Sequence, residues 1–169
     1  VILGAGRLQR QKDFPTLIRA FALVRRERPC RLVIIGEGGD RKALETLIAE
    51  LGLGAEVDLP GFQTNPFPFM AAADLFVLSS VWEGSPNVLT EAMALGTPVV
   101  ATDCPSGPAE LLESGRIAPL VPVGDLVGLA QAMSETLEHP MPGQALKAGV
   151  ADYNQARSAR RYLEVLEDG

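Results

Sequence analysis

Leu32-Val33-Ile34-Ile35-Gly36-Glu37-Gly38-Gly39 decides the fold. Four consecutive apolar residues leave no wet face, which suits a strand buried on both sides in a parallel sheet rather than an antiparallel edge. Glycines stop the run. Asp40 is placed to cap a helix whose buried stripe reads Leu44, Leu47, Ile48 and Leu51, closed by Gly52. The same strand–turn–helix unit recurs on either side. Upstream, Val1 to Gly4 is an apolar run, Asp13 is an N-cap, and Pro15 sits in the first turn, where its missing N–H costs nothing. Leu17, Ile18, Phe21 and Val24 then mark one face of a helix ending near Pro29. Downstream come strands at Val57 to Leu59, Leu75 to Leu78, Val99 to Ala101 and Leu120-Val121. Between them the spacing predicts a short helix or turn from Pro66 to Ala73, a helix opened by Asn87 and stopped by Gly96, and a helical stretch from Ala109 to Ser114. An amphipathic helix runs from Asp125 to Leu137, and a loop from His139 to Gly143 leads to a polar helical tail ending in Tyr162-Leu163-Glu164-Val165-Leu166. Strands alternating with helices define one α/β domain over residues 1–169, built on a single doubly wound, mostly parallel sheet.

Composition narrows the function. The 169 residues are 47% hydrophobic and 21% charged, the balance of a globular chain with a core. A net charge of -6 argues against non-specific binding to nucleic acid or to an anionic membrane. Cys30 and Cys104 are far apart and encode neither a zinc cluster nor a disulfide framework. His139 is the only histidine and lies in a loop, which argues against a His-based metal site or a Ser-His-Asp triad. No apolar run approaches the ~18 residues of a membrane span. The opening strand has no initiating Met and no preceding cap, so the chain is expected to be a piece of a longer protein.

Open parallel sheets bind ligands at the carboxyl ends of their strands, so the loops there are read for chemistry. In Gly4-Ala5-Gly6-Arg7, Gln9 stands where a dinucleotide fingerprint needs its third glycine, and no phosphate-binding P-loop motif occurs. This disfavours a nicotinamide-dependent oxidoreductase. Arg7 and Lys12 in that loop would suit a pyrophosphate, as a fork and a point charge, or they are solvated surface cations. In Glu83-Gly84-Ser85-Pro86-Asn87-Val88-Leu89-Thr90-Glu91, Gly84 and Pro86 force a turn and Asn87 opens a helix. The N–H groups of Asn87, Val88 and Leu89 would then face outward at the positive end of the helix dipole, worth roughly half a charge. That is a phosphate site, and Glu83 and Glu91 would offer carboxylates to sugar and ribose hydroxyls in one cleft. Taken singly, they also read as a loop charge and a helix-surface acid. Asp103 to Pro108 reads equally as a ligand loop and as connection chemistry, and Trp82 as a cleft wall or a packing residue. Met70, Met93 and Met133 read as core, and Cys104 as structural.

Taken together, these pieces resemble the C-terminal, donor-binding domain of the group 1 glycosyltransferases, the retaining family 4 with the GT-B fold. The matching residues are Gly6-Arg7-Leu8 with Lys12, Val33 to Gly38, Val57 to Phe62, Ala73 to Ser80, Glu83 to Ala94, and Gly96 to Ala101. Order and spacing agree along nearly the whole chain. Where the family often has Gly-Leu-Leu-Val, this chain has Ile117-Ala118-Pro119-Leu120-Val121.

The resemblance implies a Rossmann-like domain, the C-terminal half of a GT-B fold, whose N-terminal acceptor domain is expected to lie outside this chain. It implies transfer of a glycosyl group from a nucleotide diphosphate sugar to a glycan, lipid or other acceptor with retention of configuration. The fragment alone is expected to bind donor and transfer little. Arg7, Lys12 and Glu83 match the catalytic positions: the first two hold the diphosphate and Glu83 contacts the donor sugar. Glu91 matches the ribose-binding acid. Backbone amides of Gly84, Ser85, Pro86-Asn87, Val88 and Leu89 would cradle the sugar and distal phosphate, and Phe62 falls near the base. No metal and no other cofactor is implied, and no nucleic-acid partner. The expected location is cytoplasmic, with any contact to the inner face of the membrane made through the other half. Pro86-Asn87-Val88-Leu89 resembles relatives that build surface polysaccharides and glycans. A non-catalytic nucleotide-sugar-binding module is the alternative, and relatives that hydrolyse or epimerise nucleotide sugars share the fold.

Overall fold

The computed structural model describes residues 1–153. Six strands form one sheet, β1 (Ile2–Ala5), β2 (Leu32–Ile35), β3 (Val57–Gly61), β4 (Leu75–Leu78), β5 (Val99–Thr102) and β6 (Leu120–Val121). All pairings are parallel and the order is β3-β2-β1-β4-β5-β6. The chain winds outward from β1 in one direction, then returns to pair β4 on the other side of β1. The switch point therefore lies between the carboxyl ends of β1 and β4, where such sheets open a crevice.

Strands β1, β4 and β5 bury both faces and β2 nearly so, as their apolar runs require, while the edge strand β3 leaves Asp58 and Pro60 exposed. Ile2, Leu32, Ile34, Leu75 and Val77 pack with α1 (Phe14–Glu27), α2 (Arg41–Glu50) and α6 (Leu126–Glu138) on one side. Leu3, Ala5, Ile35, Phe76 and Leu78 pack with α3 (Phe67–Ala72), α4 (Asn87–Leu95), α5 (Pro108–Leu111) and α7 (Gly143–Gly149) on the other. The three methionines read as core are buried. Asp13 caps α1 as expected, accepting from the Thr16 N–H, and holds a left-handed φ of 44° that aspartate tolerates.

Several local expectations are corrected. Asp40 makes no side-chain cap, because its backbone is already helical (φ -86°, ψ -1°) where a capping residue is normally extended. Leu51 is 40% exposed. Gly52, at φ 67°, turns the chain, the Leu53 N–H bonds the Ile48 carbonyl, and Leu53 takes the buried place instead. Strand β3 runs two residues further than expected, through Pro60, which an edge strand accommodates. The stretch after β5 forms α5 and then a separate tight turn, Glu113–Gly115, in place of one helix. Asn87 is the first residue of α4 rather than its cap, and its Oδ1 accepts from the Ser85 hydroxyl at 2.9 Å. The tail from 154 to 169 lies outside the described residues.

Candidate functional site

Strand order brings the β1 and β4 loops together. The β1 loop passes Arg7 and Leu8 and makes a single tight helical turn, Arg10–Lys12, before α1. It is laced to the β4 loop by the Val81 N–H on the Gln11 carbonyl (2.8 Å) and the Ser79 hydroxyl on the Lys12 carbonyl (2.7 Å). Across this seam the Lys12 ammonium donates to Glu83 Oε1 at 2.6 Å. The two residues are 71 positions apart, and their side chains are 13% and 5% exposed. Burying two charges costs several kcal/mol per ion in the absence of close pairing, so the short contact is what makes this placement tolerable.

Glu83 is held by more than lysine. The Ser80 hydroxyl donates to the same Oε1 at 2.5 Å, and Gln11 Nε2 reaches Oε2 at 3.5 Å while donating to the Trp82 carbonyl at 3.0 Å. The backbone of Glu83 is clamped as well. Its N–H donates to the Pro105 carbonyl at 2.6 Å, and its carbonyl accepts from Ser106 at 2.9 Å. The loop from Asp103 to Pro108, open to two readings in the sequence, thus supports the acid directly. Its Gly107, at φ 97°, packs so close to Pro86 that a Cβ would lie 2.6 Å from the proline ring.

The other expected residues share the carboxyl-end face, with different surroundings. Arg7 is exposed and makes no ion pair among the described residues. Phe62 follows β3, two strands from β1, and is 71% exposed. Glu91 lies one turn into α4, half-buried and without a hydrogen-bonding partner among the described residues, and burial pushes its carboxyl above the usual range. Of the three amides expected to face outward, those of Asn87 and Leu89 bond the Ser85 and Pro86 carbonyls, which leaves Val88 without a carbonyl partner among the described residues. Gly84 and Ser85 are exposed and Pro86 is buried. Trp82 is 46% exposed. Cys104 is buried, which raises its thiol and suits the structural role read for it.

Sequence reasoning missed Ser80, Gln11 and the Pro105-Ser106 clamp as supports of Glu83. Only the adjacency of β1 and β4 reveals them. It also missed Arg41, whose guanidinium holds Glu37, Glu45 and the Leu59 carbonyl, tying α2 to the ends of β2 and β3; this hydrogen bonding lowers the Glu37 carboxyl. Among the described residues no three His, Cys, Asp or Glu side chains converge as metal ligands would, and no helix is long and apolar enough to cross a membrane.

A doubly wound parallel sheet with a buried cation–carboxylate pair at its switch point is a ligand-binding architecture. The family of glycosyl transferases group 1 matches residues 1–139, and the chain belongs to that family. It is 39% identical over 146 residues to a Campylobacter jejuni N-acetylgalactosaminyltransferase acting on a diphospho-undecaprenol, covering 86% of this chain and 40% of that protein. It is 34% identical over 174 residues to the lipopolysaccharide core biosynthesis glycosyltransferase LpsD of Rhizobium meliloti, covering all of this chain and 50% of that one. Among solved structures, Staphylococcus aureus TarM superposes with a TM-score of 0.90 at 24% identity, over 96% of this chain and 34% of that one. Anabaena HepE in complex with UDP superposes with a TM-score of 0.86 at 28% identity, over 99% and 49%. The chain thus spans half or less of the length of these relatives.

Proposed function

We propose that this chain is the donor-binding half of a retaining glycosyltransferase, moving a sugar from a nucleotide diphosphate sugar to a glycan, lipid or other acceptor presented by a separate N-terminal domain. The observation that carries the reading is the Lys12–Glu83 pair at the switch point, with the unpaired Arg7 on the same loop. Arg7 and Lys12 hold the diphosphate, Glu83 contacts the sugar hydroxyls and Glu91 the ribose hydroxyls. Phe62 lies against the base, and the turn from Gly84 to Leu89 closes over the sugar and distal phosphate. The solved complex of HepE with UDP supports this choice of ligand.

When the bond between the anomeric carbon and the diphosphate oxygen breaks, negative charge gathers on the leaving group. Lys12, already held in place by Glu83, and the amino end of α4 stabilise that charge with little reorganisation at the moment of reaction, and Arg7 adds a second cation. This reading assigns no metal and no other cofactor. An unpartnered, half-buried Glu91 is a pure acceptor waiting for donors, which a ribose diol supplies. The relatives named as lipopolysaccharide and diphospho-undecaprenol transferases support surface-glycan assembly; this reading places it on the cytoplasmic side, with membrane contact made by the other half. Nucleic acid has no place in this reading.

The test is transfer itself. The full-length protein is incubated with UDP-, GDP- and ADP-sugars, and the anomeric configuration of the released or transferred sugar is followed by NMR. Retention is expected with one nucleotide family. An inverted product, or turnover unaffected by Arg7→Ala with Lys12→Ala, overturns the assignment.

A further inference from the structure

We propose that Ser80 and Gln11 are positioning residues that decide which oxygen of Glu83 is offered to the donor sugar. The inference rests on the reading of Glu83 as the sugar-contacting acid.

The two carboxylate oxygens are treated unequally. Oε1 accepts two short, charge-assisted bonds, from Lys12 Nζ at 2.6 Å and from Ser80 Oγ at 2.5 Å, so its acceptor sites are spent. Oε2 has only Gln11 Nε2 at 3.5 Å, the outer limit of a hydrogen bond, while the other N–H of that amide is placed for the Trp82 carbonyl at 3.0 Å. Oε2 therefore keeps the capacity to accept from a sugar hydroxyl. Ser80 is fully buried and itself anchored: its carbonyl accepts from Thr102 Oγ1 at 2.6 Å, at the end of β5. Gln11 is anchored by the Val81 N–H on its own carbonyl. Three strands thus fix the rotation of one carboxylate. Without the Ser80 hydroxyl, Glu83 is free to turn both oxygens toward Lys12, and the acceptor meant for the sugar is lost.

The readout is the sugar increment, the ratio of Kd for a nucleoside diphosphate to Kd for its sugar derivative. It is measured calorimetrically on the full-length protein with UDP-glucose, UDP-N-acetylglucosamine, GDP-mannose and ADP-glucose, each against its own diphosphate. Ser80→Ala cuts the increment of the preferred pair about tenfold while the bare diphosphate binds within about twofold of wild type. Ser80→Thr, which keeps the hydroxyl, restores it. Gln11→Glu places a second carboxylate beside Oε2 and moves the pH midpoint of the increment upward, whereas Gln11→Met leaves the midpoint in place. The other titratable groups facing Glu83, Lys12 and the Cys104 thiol, are untouched by these variants. A wild type with no increment on any pair overturns the reading of Glu83 and this inference with it. With a wild-type increment present, unchanged values in Ser80→Ala and an unmoved midpoint in Gln11→Glu overturn the inference alone. So does an equal loss of diphosphate and sugar-diphosphate binding, the mark of a purely structural role.

Discussion

Gly36 meets the backbone of Gly6 so closely that a Cβ at Gly36 would stand 1.9 Å from the Gly6 carbonyl oxygen. The loops after β1 and β2 are pressed together there, with the Gly6 N–H on the Ile35 carbonyl at 3.0 Å. Gly38 repeats the approach against the Leu8 carbonyl, at 2.3 Å. The backbone carrying Arg7 and Lys12 is thereby seated on the end of β2.

Gly36→Ala adds both a backbone clash and a side chain at φ 137°, so it is expected to cost about 3 kcal/mol and to lower Tm by roughly 6–12 °C. Gly39, which has nothing within 4 Å of its Cβ position, is the control: Gly39→Ala stays within about 0.5 kcal/mol of wild type. Urea unfolding of both variants gives the comparison.

Lys12 and Arg7 are expected to separate when tested without ligand. Lys12→Ala strands a buried carboxylate and costs about 3 kcal/mol of stability; adding Glu83→Gln to it recovers most of the loss. Arg7→Ala, at an exposed and unpaired cation, changes stability by less than about 0.5 kcal/mol. Both weaken diphosphate binding. Chemical denaturation beside calorimetry on the same variants resolves the two effects.

Glu91 links pH to stability. Its carboxyl is raised by burial, so the native chain holds that proton more tightly than the unfolded one. The stabilising contribution is therefore complete below the unfolded value of about 4.3 and disappears as pH rises through the raised native value. Glu91→Gln removes the buried charge. It is expected to be more stable than wild type at pH 7, with the gain vanishing below about pH 4, and to bind nucleoside diphosphates about tenfold more weakly. Thermal unfolding across that range checks the sign, since a variant less stable at pH 7 would contradict it.

Phe62 is too exposed to matter for folding, and base stacking on an aromatic ring is worth about 1–3 kcal/mol. Phe62→Ala should weaken a nucleoside diphosphate about tenfold or more and leave inorganic pyrophosphate unaffected. Equal losses on both ligands would place Phe62 elsewhere in the site.

The sheet was legible because its strands announce themselves: the observed bounds of β2 and β4 coincide with the apolar runs Leu32 to Ile35 and Leu75 to Leu78. Asp13 was legible as a cap because its chemistry is local. Leu51 was misread because periodicity says nothing about where a helix stops, and Gly52 handed the buried position to Leu53. Lys12 and Glu83 could each be singled out, yet their contact depends on β4 returning to lie beside β1, which no local pattern encodes. The same holds for Ser80, whose type is common and whose partner is chosen by the sheet.

The most direct test of the central claim is thermal unfolding of the full-length protein, wild type and Arg7→Ala with Lys12→Ala, against UDP, GDP and ADP. A ligand at a hundred times its Kd adds about 2.7 kcal/mol, which raises Tm by roughly 3–5 °C in a protein about twice the length of this chain. The account predicts that shift for wild type with one nucleoside diphosphate and its loss in the double variant. An undiminished shift in the double variant, or none in wild type with any of the three, would contradict it.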